Sequence, residues 1–132
     1  MNKPSSVLVI DDESMMRLTI SAYLEDSGFH VFEATDGREG VEQFMRHRPD
    51  IVLTDLRMPG MDGMEVIAAI KAHSPTTPII VITGTGDTLA QNDSFSLGAC
   101  NCLFKPFNDL CLLEDAITQA LRDAGSGTEG TP

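Results

Sequence analysis

Short apolar runs alternate with amphipathic stretches five times along this chain, and few folds satisfy that alternation. The runs fall at residues 7–10, 30–34, 51–53, 79–82 and 102–104. They are rich in Val and Ile and are bounded by Gly, Pro or Asp, which is the pattern of strands. Most are apolar throughout rather than every second residue, so burial on both faces of a parallel sheet is expected. The stretches between them, 14–27, 37–46, 64–73, 88–97 and about 108–124, read as helices. In the last, Leu110, Leu113, Ala116, Ile117, Ala120 and Leu121 recur at helical spacing. Strands alternating with helices imply right-handed βαβ units, hence an α/β fold with a parallel sheet between two helical layers.

At 132 residues the chain has room for one ordinary domain. Residues 7–124 are expected to form it, after a short N-terminal tail over 1–6. The Gly- and Ser-rich stretch 125–132 reads as a flexible tail or the start of a linker. The formal net charge of −11 argues against direct binding to nucleic acid or to an anionic membrane, which requires clustered Lys and Arg. No apolar run approaches the roughly 20 residues that span a bilayer. Cys100, Cys102 and Cys111 form no CxxC pair and have no histidine at zinc-ligand spacing. Reduced thiols and a cytoplasmic location are expected.

In open α/β sheets the chemistry sits at the carboxyl ends of the strands. The first run leads into Asp11 and Asp12, the third into Asp55, the fourth into Thr83 and the fifth into Lys105. Any one of these is explained by the ordinary preference of turns for Asp and Thr. Together they put three carboxylates, a hydroxyl and an ammonium on one rim. Crowded carboxylates repel, and a hard divalent cation such as Mg²⁺ compensates them while keeping room for phosphate oxygens. A carboxylate in that setting can attack a phosphoryl donor and form an aspartyl phosphate. Lys105 would neutralise phosphoryl charge and Thr83 would donate to a phosphoryl oxygen.

Four segments, read in order, carry a family resemblance: Ile10-Asp11-Asp12-Glu13; Asp55-Leu56-Arg57-Met58-Pro59-Gly60-Met61-Asp62-Gly63; Thr83-Gly84; and Lys105-Pro106-Phe107. The chain resembles the receiver domains of two-component response regulators over about residues 5–124. The resemblance implies a flavodoxin-like fold with strand order 2-1-3-4-5. It implies Asp55 as phosphoacceptor and Mg²⁺ held by Asp11, Asp12, Asp55 and the backbone carbonyl of Arg57. It also implies Thr83 and Lys105 as phosphoryl contacts. The implied partners are a histidine kinase or phosphotransfer protein as donor. An output domain or downstream protein would bind on the face of the fourth helix, fifth strand and fifth helix, which could also pair two copies of the chain. Such receivers phosphorylate themselves and lose the phosphoryl group slowly, and turn over no separate substrate.

One position departs from the family. Three residues before the lysine, where receivers carry a Tyr, Phe or His that moves with the threonine, stands Cys102. Two accounts follow: the signal passes through the loop at 84–89, where Gly84 and Gly86 leave the backbone permissive, or the partner binds both states. Two rival functions are a phosphatase of the haloacid-dehalogenase kind and a receiver-like interaction module that takes no phosphate. The first needs an Asp two residues after the nucleophile as general acid, and that position is Arg57, which cannot exchange a proton in catalysis. The second is disfavoured by the presence of every site residue. His30, His47 and His73 lie far apart in the pattern and read as ordinary surface residues. Met58, Met61 and Met64 read as loop packing before partner surface, and Cys100 and Cys102 lack further metal ligands.

Overall fold

A computed structural model describes residues 4–84, 88–105 and 110–129, with side chains over 4–84, 91–104 and 110–124. The elements alternate strictly: β1 (Ser6–Ile10), α1 (Ser14–Asp26), β2 (His30–Ala34), α2 (Gly37–His47), β3 (Ile51–Asp55), α3 (Gly63–His73), β4 (Ile79–Gly84), α4 (Thr88–Leu97), β5 (Asn101–Lys105) and α5 (Leu110–Glu129). The strands pair in parallel in the order β2-β1-β3-β4-β5, the flavodoxin-like order that the resemblance implied.

The uniformly apolar strands are explained by two cores, one on each face of the sheet. Leu8, Ile10, Val52, Ile79 and Val81 join Phe44 of α2 and Val66, Ile67 and Ile70 of α3. Val7, Val9, Ile51, Leu53, Ile80 and Ile82 join Ile20 and Leu24 of α1 and Leu113 and Ile117 of α5. Neighbouring residues of a strand thus serve opposite cores, because side chains alternate across the pleat. β2 is an edge strand with one neighbour and is less buried, which matches its mixed composition.

The helix ends follow local chemistry. Asp36 caps α2 by accepting from Glu39 N at 2.8 Å. Asp62 and Glu65 form a reciprocal capping box on α3, both bonds at 3.0 Å. α1 gives way at Gly28, whose φ of +101° only glycine adopts without strain. α5 continues to Glu129, beyond the end near Ala124 that the composition suggested. Gly125 and Gly127 each weaken a helix by about 1 kcal/mol, but unlike proline neither removes a ladder donor.

Three strands run further at their carboxyl ends than the apolar runs. β3 includes Asp55, β4 includes Thr83 and Gly84, and β5 includes Lys105. The ladder carries them, since Asp55 is opposite Ile82, Thr83 opposite Phe104 and Gly84 opposite Lys105. Of the residues named in the sequence, the Lys105 side chain, Gly86, Pro106 and Phe107 lie outside the described residues.

Truncation at the centre of the sheet tests this architecture. Leu53 is fully buried on β3, so Leu53→Ala should lower the unfolding free energy by about 2–5 kcal/mol in urea titrations. Leu112→Ala on α5, where the side chain is 61% exposed, should change it by no more than about 0.5 kcal/mol.

Candidate functional site

The strand order decides which residues meet. β1, β3, β4 and β5 are consecutive in the sheet, so their carboxyl ends form one continuous rim. Ile10 pairs with Thr54, which sets Asp11 level with Asp55. Asp55 pairs with Ile82, so Thr83 stands one residue higher, and Lys105 stands level with Gly84 beyond it. The rim is therefore stepped, with carboxylates low and the hydroxyl and lysine backbone rising beside them.

Asp11, Asp12 and Asp55 each present a carboxylate oxygen, and these oxygens lie within 4.8 Å of one another. Asp11 and Asp55 are buried and Asp12 is exposed. Asp11 Oδ1 accepts from Glu13 N at 2.9 Å, and Asp55 Oδ1 accepts from Arg57 N at 3.2 Å. These backbone donors orient the acids and satisfy part of their acceptor capacity. The remaining oxygens are all hard anionic donors, the set a small divalent cation prefers. The cluster therefore fits a Mg²⁺-sized ion with open positions for water or phosphate oxygen.

Thr83 is fully buried, and its Oγ1 has no hydrogen-bond partner among the described residues. A donor placed in this way can serve an acceptor arriving at Asp55. Thr54 is also buried, but its Oγ1 is occupied by the carbonyl of Asp55 at 3.0 Å. Lys71 is far from the rim at the end of α3. Its Nζ donates to the carbonyls of Thr77 at 2.7 Å and Pro75 at 3.2 Å, and burial pushes its pKa down.

The other residues singled out in the sequence take the following places. Asp62, part of the quoted motif, is a helix cap rather than a site residue. Met58 is buried and Met61 and Met64 pack on the core beneath, so this trio is loop packing. His30 and His47 lie far apart in sequence, but they flank Phe32 with ring centroids at 4.8 and 4.1 Å. Cys102 is buried opposite Val81, in the core cluster that also holds Ala99. Among the described residues, the one metal-capable group of three or more is the aspartate cluster, and neither Cys100 nor Cys102 joins it.

Two roles escaped the sequence reading. Arg17 reaches back from α1 to the carbonyl of Asp11 at 2.9 Å. Its only sequence signal is its place one helical turn after Glu13. Gly63 opens α3 so close to the end of β3 that a Cβ there would collide with the Asp55 carbonyl and the Leu56 Cα. A glycine directly after a capping Asp was its signal.

The comparisons with known proteins agree with one another. Residues 7–118 match the family described as the response regulator receiver domain. A cyclic di-GMP phosphodiesterase of Thermotoga maritima is 38% identical over 118 residues, 89% of this chain and 31% of that protein. Sporulation initiation phosphotransferase F of Bacillus subtilis is 30% identical over 115 residues, 87% of this chain and 92% of its own. Among solved structures, the chemotaxis protein CheY4 of Vibrio cholerae superposes with a TM-score of 0.81 at 32% identity, covering 87% of this chain and 98% of that one. The chain thus spans less than a third of the first relative and nearly all of the second.

The tight seat of Gly63 is open to test. Gly63→Ala should cost about 1–3 kcal/mol of stability through overpacking against backbone. Gly84→Ala, whose Cβ would meet nothing within 4 Å, should stay within about 0.5 kcal/mol of the parent by the same urea titration.

Proposed function

This chain belongs to the response regulator receiver domain family, and from that premise we propose that it takes a phosphoryl group on Asp55. The observation that carries the reading is the gathering of three carboxylates within 4.8 Å at the ends of β1 and β3. In the proposed step a carboxylate oxygen of Asp55 attacks the donor phosphorus. The bond from phosphorus to its leaving atom breaks, the imidazole nitrogen of a phosphohistidine donor or the acetate oxygen of acetyl phosphate, and that atom departs with the electron pair. The product is an acyl phosphate.

Asp11, Asp12, Asp55 and the backbone carbonyl of Arg57 would hold Mg²⁺. That ion supplies charge neutralisation for the transferring phosphoryl oxygens. Thr83 would donate its hydroxyl hydrogen to a phosphoryl oxygen, ending its own isolation, and Lys105 would pair with another oxygen. Arg57, two residues after Asp55, offers no exchangeable proton to a leaving or attacking group. The acyl phosphate would therefore outlast the transfer and act as a signal. On this reading the domain is not an enzyme towards a separate substrate.

The donor would be a histidine kinase or a phosphotransfer protein, in the cytoplasm. The response would be read on the face of α4, β5 and α5, by an output domain, a separate protein or a second copy. Phe95, Leu97 and Phe104 support this choice, each about two-fifths exposed on α4 and β5. So does Leu112 on α5, 61% exposed. Since Cys102 is buried and small, the signal would travel through the loop 84–89 rather than through a ring at that position.

Two measurements test the proposal. Acetyl phosphate with Mg²⁺ should add one phosphoryl group by intact mass, and Asp55→Asn should add none. Undiminished labelling of that variant would reject Asp55, and an unlabelled parent would favour the interaction module that takes no phosphate. Mg²⁺ at about 100 times its dissociation constant should stabilise the fold by about 2.7 kcal/mol. Asp12→Ala should abolish that gain while raising the stability of the metal-free protein, because it relieves carboxylate repulsion.

A further inference from the structure

We infer that Arg17 is a positioning residue for the metal-binding acids, and that it sets Asp12 through the peptide bond it grips; this rests on the reading of the acidic cluster as a Mg²⁺ site. Arg17 lies in the first turn of α1, with its side chain 12% exposed. Its Nη1 donates to the Asp11 carbonyl at 2.9 Å, and its Nε donates to Glu33 Oε1 on β2 at 3.0 Å. One guanidinium therefore joins the acidic loop to the edge strand.

The consequence falls on the next residue. The Asp11 carbonyl belongs to the planar peptide unit whose other end is the Cα of Asp12. Fixing the direction of that carbonyl fixes the plane, and with it the point from which the Asp12 side chain departs. Asp11 is held at two other points and is buried. Its N–H donates to the Ala34 carbonyl at 3.2 Å, its Oδ1 accepts from Glu13 N, and it is 1% exposed. Asp12 has no such support. It is exposed, and its side chain makes no hydrogen bond among the described residues. Where its carboxylate sits is left to the main chain, which two side chains hold: Asp11 Oδ1 takes the Glu13 N–H after Asp12, and Arg17 grips the Asp11 carbonyl before it.

An arginine suits this task and a lysine does not. The two bonds diverge from one rigid fork, towards a carbonyl and a carboxylate on different elements. An ammonium on a flexible stem can meet one of them. Partners that orient metal ligands from behind are worth about 10–100-fold in metal affinity.

The test uses the whole chain. Mg²⁺ affinity is read from the thermal midpoint across a Mg²⁺ series, with the metal-free midpoint as the control for folding. In parallel, the Mg²⁺ needed for half-maximal labelling by acetyl phosphate is measured. Arg17→Gln should weaken Mg²⁺ about tenfold in both readouts. Plateau labelling should fall by much less than that factor. Arg17→Lys should not restore affinity. An unchanged Mg²⁺ response in Arg17→Gln, or full recovery in Arg17→Lys, overturns the inference. So does a loss confined to plateau labelling. If Arg17→Gln does not fold, Glu33→Ala removes the other arm of the fork. It should weaken Mg²⁺ about two- to fivefold, the range of a half-exposed ion pair, and no change there also overturns the inference. A parent protein that ignores Mg²⁺ would instead refute the metal site itself, and this inference with it.

Discussion

Parallel pairing of β1 with β3 is the constraint on which the remaining structure depends. It places Ile10 opposite Thr54 and so brings Asp11 level with Asp55. The two strands are sequential neighbours of β2 and β4, yet they adjoin each other, so the chain must cross over through α1, β2 and α2 to make the pair. Their pairing also closes both cores at once. Val7, Val9, Ile51 and Leu53 face α1 and α5, while Leu8, Ile10 and Val52 face α2 and α3. A slip of one residue would exchange the two sets and separate the acids. Frame and site are thus fixed by the same hydrogen-bond ladder.

The site sets a local cost against that frame. Carboxylates within 4.8 Å repel one another, and two of the three are buried. Backbone donors offset part of this: Glu13 N on Asp11 and Arg57 N on Asp55. Both come from the residue two positions on, so the loops turn back on their own side chains. The buried sheet beneath, apolar on both faces, holds the rim in place against the rest. A cluster of like charges at the end of a sheet of this kind is a place where stability and ion binding oppose each other.

Much of this was legible in the sequence. The five apolar runs gave the strands, and strand ends gave Asp11, Asp12, Asp55, Thr83 and Lys105 as one rim. The order of the strands came from resemblance rather than from periodicity, since apolar runs alone do not say which strand lies beside which. Ranges were less legible where polar residues continue a ladder. Asp55, Thr83 and Lys105 look like turn residues by composition, but they are strand residues by pairing. Arg17 was illegible because its task depends on a carbonyl, and backbone acceptors leave no trace in a side-chain pattern. Gly63 was hidden for a related reason: its role is the absence of a Cβ beside another backbone. The approach of His30 and His47 to Phe32 needed the pairing of elements that sequence spacing does not show.

The isolated hydroxyl of Thr83 has a thermodynamic consequence. A buried donor without an acceptor carries a desolvation penalty of about 1–3 kcal/mol, and Thr83 Oγ1 is in that position among the described residues. On the proposed reading, the resting fold is under a small tension that a phosphoryl oxygen arriving beside Asp55 would relieve. Relief of that size corresponds to about a 5–150-fold coupling between two events, and such coupling is reciprocal. A protein that grips the relieved form of the β4 end more tightly would, by the same factor, hold the arriving oxygen in place. The listener would then help to keep the message written.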